Sequence, residues 1–229
     1  MKILLVNDDG INSERLAFAE EILSKYGNVT TIAPKEEQSG KSVSITISGV
    51  NFEKIDDSHY AVDGTPADCV TFGIYGLKLS PDVVVSGINK GYNIGIDTIY
   101  SGTVGAAIQA NYHGFKAVAF SADFEGSRNM KCYFEKTWQY ILTNNLLSEK
   151  YILNVNFPKD KFTEDKGILN SKLYYVKMLL DGEINDNTFR HKRNVIPQNI
   201  PENTDVFALR NGITSISKIT LSEKNWEES

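Results

Sequence analysis

The opening of the chain switches between two periodicities, and this switch restricts the fold more than any other feature. Lys2 to Asn7 is a short run rich in Ile, Leu and Val, closed by Asp8-Asp9-Gly10. Leu16, Ala19, Ile22, Leu23 and Tyr26 then recur at three- and four-residue steps, with Ser13 placed to cap a helix and Gly27 to stop it. Val29 to Ala33, ended by Pro34, reads as a second strand. Strand, helix and strand in this order make a βαβ unit with parallel strands.

The alternation continues. Val43, Ile45 and Ile47 against Ser42, Ser44 and Thr46 mark a half-exposed strand, opening a small antiparallel excursion that runs to about Val62. Thr65-Pro66-Ala67-Asp68 carries a capping hydroxyl, a proline at the first helical position and an acid in the first turn, so a helix is expected to about Gly76. Asp82 to Val85 is β-branched enough for a strand buried on both faces. Ser101 caps a helix of small residues over Thr103 to Tyr112, and Ala117 to Ser121 is a further strand. A helix over 131–147, with Phe134, Trp138, Ile141 and Leu142 on one stripe, leads to strand Ile152 to Phe157. The two cysteines, Cys69 and Cys132, match no metal or redox spacing and are expected as buried, reduced thiols.

The expected architecture is therefore a doubly wound, mostly parallel, Rossmann-like α/β sheet over 1–157. Beyond Pro158 the pattern changes to an apolar strand Leu173 to Leu180, a charged loop, and two β-rich runs, Asp205 to Arg210 and Ile213 to Ile219, joined by Asn211-Gly212. Asn-Gly between such runs predicts a hairpin. Residues 158–229 are read as a β-rich extension whose edges and apolar faces are covered by a partner subunit, by exchange between subunits.

In open α/β sheets ligands bind beyond the carboxyl ends of the strands. Three polar clusters fall there: Asn7-Asp8-Asp9-Gly10, Gln38-Ser39-Gly40 and Ser86-Gly87-Ile88-Asn89. Two carboxylates held side by side repel by about 4 kcal/mol at ~4 Å in a surface-like dielectric, and a hard divalent cation removes that conflict. Asp8 and Asp9 with the neutral oxygens of Ser39 and Asn89 form a donor set that suits Mg²⁺ or Mn²⁺, with positions left for water and a phosphate. Taken singly, the acids also fit a solvated turn, Ser39 a loop and Asn89 a turn residue. His59, His113 and His191 share no zinc-type spacing. The glycine-rich stretch from Gly87 to Gly105 is neither a dinucleotide fingerprint nor a Walker loop. Its end, Tyr100-Ser101-Gly102-Thr103, opens a helix suited equally to a phosphate or to an ordinary cap. Arg190-His191-Lys192-Arg193 is the one compact basic cluster and is read as a solvated loop.

With these residues in place the chain resembles the SurE family of stationary-phase survival proteins, metal-dependent 5′-nucleotidases. The matching segments are ILLVNDDGI (3–11), APKEEQSGKSVSIT (33–46), DGTPADCV (63–70), VVVSGINKGYNIGIDTIYSGTVGAA (83–107), LNVNFP (153–158) and DVFALRNGITSIS (205–217). The resemblance implies one divalent cation per subunit bound by Asp8, Asp9, Ser39 and Asn89. It implies a phosphate pocket lined by Asn93, Ser101, Gly102 and Thr103, with Asp8, Asp9, Asn93 and Ser101 acting in catalysis. It further implies hydrolysis of nucleoside 5′-monophosphates, with 3′-monophosphates and short polyphosphate as further substrates, and dimers or tetramers with exchanged C-terminal segments. Gln109-Ala110-Asn111 and the 159–200 region depart from the family pattern.

A formal net charge of −5 disfavours a nucleic-acid polymer as partner. No apolar run approaches the ~20 residues of a membrane helix, and the expectation is a cytoplasmic enzyme without membrane contact. Two rivals share some of these features. A receiver-like module would accept phosphate on an aspartate beside Mg²⁺ without turnover, and a nucleotide-binding protein would need no metal at all.

Overall fold

The computed structural model describes residues 1–174, 180–193 and 199–220. Strands β1 (Lys2–Val6), β2 (Asn28–Pro34), β3 (Phe52–Lys54), β4 (His59–Val62), β5 (Val83–Lys90), β6 (Ala117–Ala122), β7 (Ile152–Phe157), β8 (Ile168–Ser171) and β11 (Thr214–Ile219) form one sheet in the order β3-β4-β2-β1-β5-β6-β7-β11-β8. All neighbouring pairs are parallel except β3 with β4 and β11 with β7. Helices α1 (Glu14–Leu23), α2 (Pro66–Thr71), α3 (Gly102–Tyr112), α4 (Arg128–Thr143) and α5 (Asp205–Arg210) cover the sheet, a short 3-10 helix spans Gly95–Ile99, and β9 (Leu180–Asn185) and β10 (Thr188–Arg193) form a separate two-stranded sheet.

The period of two in β1 explains how both sheet faces are covered. Ile3 and Leu5 pack into a core with Leu16 and Leu23 of α1 and Phe134 and Trp138 of α4. Leu4 and Val6 join a second core with Cys69 and Val70 of α2 and Val104, Ala106 and Ala107 of α3. On the first face Phe120 meets Phe134 edge-on, with centroids 4.8 Å apart. Each fully buried side chain of this size contributes about 1.5–3 kcal/mol. The chain after α1 turns closely against the start of β1: Asn28 N donates to Met1 O at 2.8 Å, and a Cβ on Gly27 would lie 1.9 Å from that oxygen.

Several expectations from sequence are met. At the start of α2, the Thr65 hydroxyl accepts from Asp68 N and the Asp68 carboxylate accepts from Thr65 N, a reciprocal capping box. A wider helical turn over Phe72–Gly76 then brings the segment to its expected end. β5 is buried along its length except for Lys90, as expected of a central strand, but it runs past the expected end at Val85, so Ser86-Gly87-Ile88-Asn89 lies within the end of the strand and not in a loop after it.

Other expectations are corrected. Val43 to Ile47 forms no strand, and Ile47 is 94% exposed. Its polar groups are held by side chains instead of a ladder: Thr46 N and Oγ1 donate to the Asp68 carboxylate, and the Thr65 hydroxyl donates to Ser44 O. The helix expected over 131–147 starts at Arg128 because a distant carboxylate caps it. Asp160 accepts from the amides of Ser127, Arg128 and Asn129 at 2.9–3.0 Å. Cys132, expected in the core, is exposed on that helix.

The hairpin around Asn211-Gly212 is absent. Asp205 to Arg210 is helix α5, capped by the Thr204 hydroxyl, and Gly212 takes φ +77° just past its end. Asn-Gly serves a helix C-terminus as readily as a hairpin, because both need a left-handed residue. The following strand, β11, enters the main sheet between β7 and β8, and Ile216 lies in the first core. The hairpin of this region is β9–β10. The basic cluster at 190–193 lies on its second strand, not in a loop, with Arg190 exposed opposite Glu183. Of the strand expected at Leu173 to Leu180, residues 175–179 lie outside the described residues, Leu173 and Tyr174 are irregular, and Leu180 begins β9.

Candidate metal and phosphate site

The first strand delivers its two acids at the carboxyl edge of the sheet. Gly10, at φ +96°, bends the chain away from the extended form, and Asn7 Nδ2 donates to Gly10 O at 2.9 Å. Asp8 is 2% exposed. Its carboxylate accepts two hydrogen bonds from one residue of α3, through Thr103 Oγ1 and through Thr103 N at 3.2 Å. Gly102 eases this approach, since a Cβ there would lie 3.0 Å from Asp8 Cβ and 3.1 Å from Oδ2 and would push the Asp8 side chain aside by a few tenths of an ångström. The Asp8 carbonyl accepts from Gln38 N at 2.7 Å, which ties the loop carrying Ser39 to the end of β1.

Asp9 accepts from Lys90 N at 3.2 Å and so meets the end of β5. Asn89, next in line, donates from Nδ2 to Gly91 O at 2.8 Å, and its carbonyl accepts from the Arg15 guanidinium at 2.8 Å. A register shift between Ser86 and Asn89 breaks the β5–β6 ladder at this point, which re-aims the strand end. Ser39 is exposed and donates to Glu37 at 2.8 Å.

Both carboxyls are held above the ordinary aspartate range. For Asp8 the main cause is burial, opposed by the Thr103 bonds and reinforced by Glu37. Asp9 is pushed up to about 6, first by burial and then by the charge of Asp8. Arg15, whose own pKa is lowered by burial, is the cation nearest in effect to Asp9 and does not offset these two causes. Two crowded, partly desolvated carboxylates gain from any added positive charge, whether a shared proton or a cation. The hard oxygen chemistry of Asp8, Asp9, Ser39 and Asn89 fits a magnesium- or manganese-like ion. Among the described residues no group of three or more His, Cys, Asp and Glu side chains is clustered for a metal, so a cation here rests on this mixed set.

The phosphate candidates divide into two groups. The Ser101 hydroxyl caps α3 by accepting from Val104 N at 3.1 Å, Gly102 opens the helix, and Thr103 gives its hydroxyl and amide to Asp8. Asn93 belongs to a buried amide network: its Nδ2 donates to Ser121 Oγ, its N donates to Asn156 Oδ1, and its carbonyl accepts from Asn154 and Asn156.

Sequence reasoning missed three residues around this edge, two that brace it and one that lies open beside it. Arg15 reaches from α1 to Asn89 O, Asp123 O and Gly126 O. Asp205, buried in α5, accepts from Gly95 N at 2.7 Å and Tyr174 N at 2.9 Å and fixes the glycine-rich loop to the C-terminal region. Phe124 lies exposed in the β6–α4 loop beside the cleft onto which Asp9 opens. The one local signal was the place of Arg15 in the first turn after the Asp-Asp-Gly bend.

Comparison with known proteins agrees over the whole chain. A solved structure, the SurE protein from Aquifex aeolicus, superposes with a TM-score of 0.85 at 34% identity, covering 99% of this chain and 96% of that one. The 5′-nucleotidase SurE of Clostridium botulinum (strain Alaska E43 / Type E3) is 35% identical over 243 residues, spanning 100% of this chain and 96% of the relative. That of Haemophilus influenzae (strain ATCC 51907 / DSM 11121 / KW20 / Rd) is 35% identical over 246 residues, at 99% and 97% coverage. The family description "Survival protein SurE" matches residues 3–178. The strand-end acids, the sheet that presents them and these similarities together place the chain in the survival protein SurE family.

Proposed function

We propose that this protein is a divalent-metal-dependent phosphomonoesterase that converts nucleoside 5′-monophosphates to nucleoside and phosphate. The observation that carries the reading is the pair Asp8 and Asp9, crowded at the sheet edge against the N-terminus of α3. That the relatives are 5′-nucleotidases supports it.

Asp8, Asp9, Ser39 and Asn89 would hold one cation, Mg²⁺ or Mn²⁺. When bound, the ion supplies charge neutralisation and Lewis acidity toward a phosphoryl oxygen. The protein's own groups do the rest. Thr103 fixes the rotamer of Asp8 and keeps its carboxylate aimed, while Lys90 N does the same for Asp9. The N-terminus of α3, an eleven-residue helix, presents roughly half a positive charge to a phosphate lying beside Ser101 and Gly102. Asn93 stands in a network that holds its backbone and amide rigid, so a donor there would be preorganised toward the developing charge. The same chemistry extends to 3′-monophosphates and short polyphosphate.

The C-terminal region is proposed to join subunits into a homodimer or homotetramer, with residues 158–229 exchanged. The β9–β10 hairpin supports this, because it stands apart from the main sheet and presents the exposed side chain of Ile184. Among the described residues no helix is long and apolar enough to cross a membrane. We place the protein in the cytoplasm.

The test is steady-state release of phosphate from AMP with Mn²⁺ or Mg²⁺. Asp9→Ala and EDTA are each expected to lower the rate by more than about 100-fold while the fold persists. Full activity in Asp9→Ala contradicts the site. One phosphate incorporated per chain without turnover would favour the receiver-like reading. AMP binding that survives EDTA with no hydrolysis at any metal concentration would favour the metal-free one.

A further inference from the structure

Asp9 borders a cleft of about 470 Å³ that the phosphate chemistry leaves unused. Its walls include Arg15 and Phe18 of α1, Lys90 at the end of β5, and Phe124 in the β6–α4 loop. Phe124 is 64% exposed, whereas Phe120, Phe134 and Phe157 are wholly buried. A phenyl ring in water between Asp123 and Glu125 contributes nothing to the core.

The exposed ring is nevertheless held in place. Arg15 donates to Asp123 O at 2.7 Å and to Gly126 O at 3.1 Å, pinning the loop on both sides of Phe124. The Lys90 ammonium lies over the ring, 4.6 Å from its centroid. Arg15 also holds Asn89 O, and Lys90 N donates to Asp9. The aromatic ring is thus fixed to the same groups that position the acids. A single lysine, Lys90, bridges the Asp9 carboxylate at its backbone and the Phe124 ring at its tip.

Charge also narrows the occupant. Three acids, Asp9, Glu14 and Glu37, face three bases, Arg15, Lys90 and Lys131, so the cleft offers no net attraction for a second phosphate. Its distinctive feature is an exposed aromatic surface with a cation on one face, a surface suited to a neutral, flat π-system.

We propose that Phe124, braced by Lys90, is the platform on which the nucleobase of the substrate stacks, making it a specificity-determining residue. This rests on the site being a nucleotidase site and adds where the leaving nucleoside is held. Stacking of this kind accepts any base, so the preference it creates is for nucleotides over phosphate esters without a base.

The test compares AMP with ribose 5-phosphate, which keeps the ester and sugar but lacks the base, in the full-length enzyme with Mn²⁺. Phe124→Ala is expected to reduce the kcat/KM preference for AMP over ribose 5-phosphate by about tenfold, chiefly through KM for AMP, and Phe124→Trp to restore it. An unchanged preference in Phe124→Ala, or an equal fall in kcat for both esters, overturns the proposal. Adenosine binding, followed by NMR titration, gives a readout independent of turnover: about tenfold weaker binding to Phe124→Ala supports the proposal, and equal binding overturns it. If the wild type hydrolyses neither ester, the nucleotidase reading fails while the adenosine titration still decides the role of Phe124.

Discussion

Thr103→Val offers a demanding check on how the acid pair is built. The substitution keeps the shape of the side chain and removes one hydroxyl. In the structure that hydroxyl donates to Asp8 Oδ1, leaving Thr103 N, at the longer 3.2 Å, as the other donor to the carboxylate. Asp8 is 2% exposed, so water cannot readily replace the lost bond. A hydrogen bond to a charged group is worth about 1.5–3 kcal/mol, and the uncompensated desolvation lies in the same range, so a loss of ~2 kcal/mol is expected. For a chain of this size that corresponds to a fall in Tm of roughly 4–8 °C. Losing the group that orients Asp8 should also weaken Mn²⁺ activation by about 10–100-fold. Thr103→Ser, which restores the hydroxyl, should recover most of both. Thermal melts without metal and Mn²⁺ titrations of phosphate release measure the two effects. A valine variant within ~0.5 kcal/mol of wild type, with the same Mn²⁺ dependence, would refute the claim that Thr103 holds Asp8.

Two further outcomes follow from parts of the fold away from the acids. Burial alone would lower the pKa of His59, but its bonds to Asp56 and to Glu20, the latter at 2.8 Å, outweigh this and raise it. The fold therefore favours the imidazolium; that stabilisation is complete below pH ~6.5 and is lost as pH rises through the elevated value. His59→Gln should cost about 0.5–1 kcal/mol at pH 6 and close to nothing at pH 9 in urea melts, and a pH-independent difference would count against the ion pairs. Truncation after residue 158 removes β8 and β11, unpairs the edge of β7 and strips cover from Leu153 and Val155. Size-exclusion chromatography should find the truncated chain aggregated, and a soluble species with the assembly mass per subunit of the full chain would contradict this.

The parts of the molecule readable from sequence are those whose cause lies within a few residues. β1, β5 and β7 are dense in β-branched and aliphatic residues because both faces of the sheet are covered, and that pattern survives in the bare sequence. α2 announces itself through Thr65 and Asp68, three positions apart. Elements whose cause is distant leave no such local mark. The start of α4 is set by Asp160, more than thirty residues away, and the path of residues 42–47 by Asp68 and Tyr100 O. Asn211-Gly212 reads as a hairpin in sequence and proves to be a helix end, and the signal that decides between the two is the Thr204-Asp205 cap upstream. The candidate site shows the same division. Asp8, Asp9, Ser39 and Asn89 stand at strand ends, which topology sends to one edge, so their nearness is legible in the sequence. Arg15, Asp205 and Phe124 act through carbonyls, amides and open space that only three-dimensional placement reveals.

The central claim is that side-chain oxygens from the loops after β1 and β2 and from the end of β5 surround one cation, and anomalous diffraction from crystals grown with Mn²⁺ tests it most directly. The account predicts a single strong peak per subunit within coordinating distance, about 2.0–2.3 Å, of Asp8, Asp9, Ser39 and Asn89 oxygens. Manganese bound elsewhere, or those four side chains turned away from any shared centre in active enzyme, would contradict it.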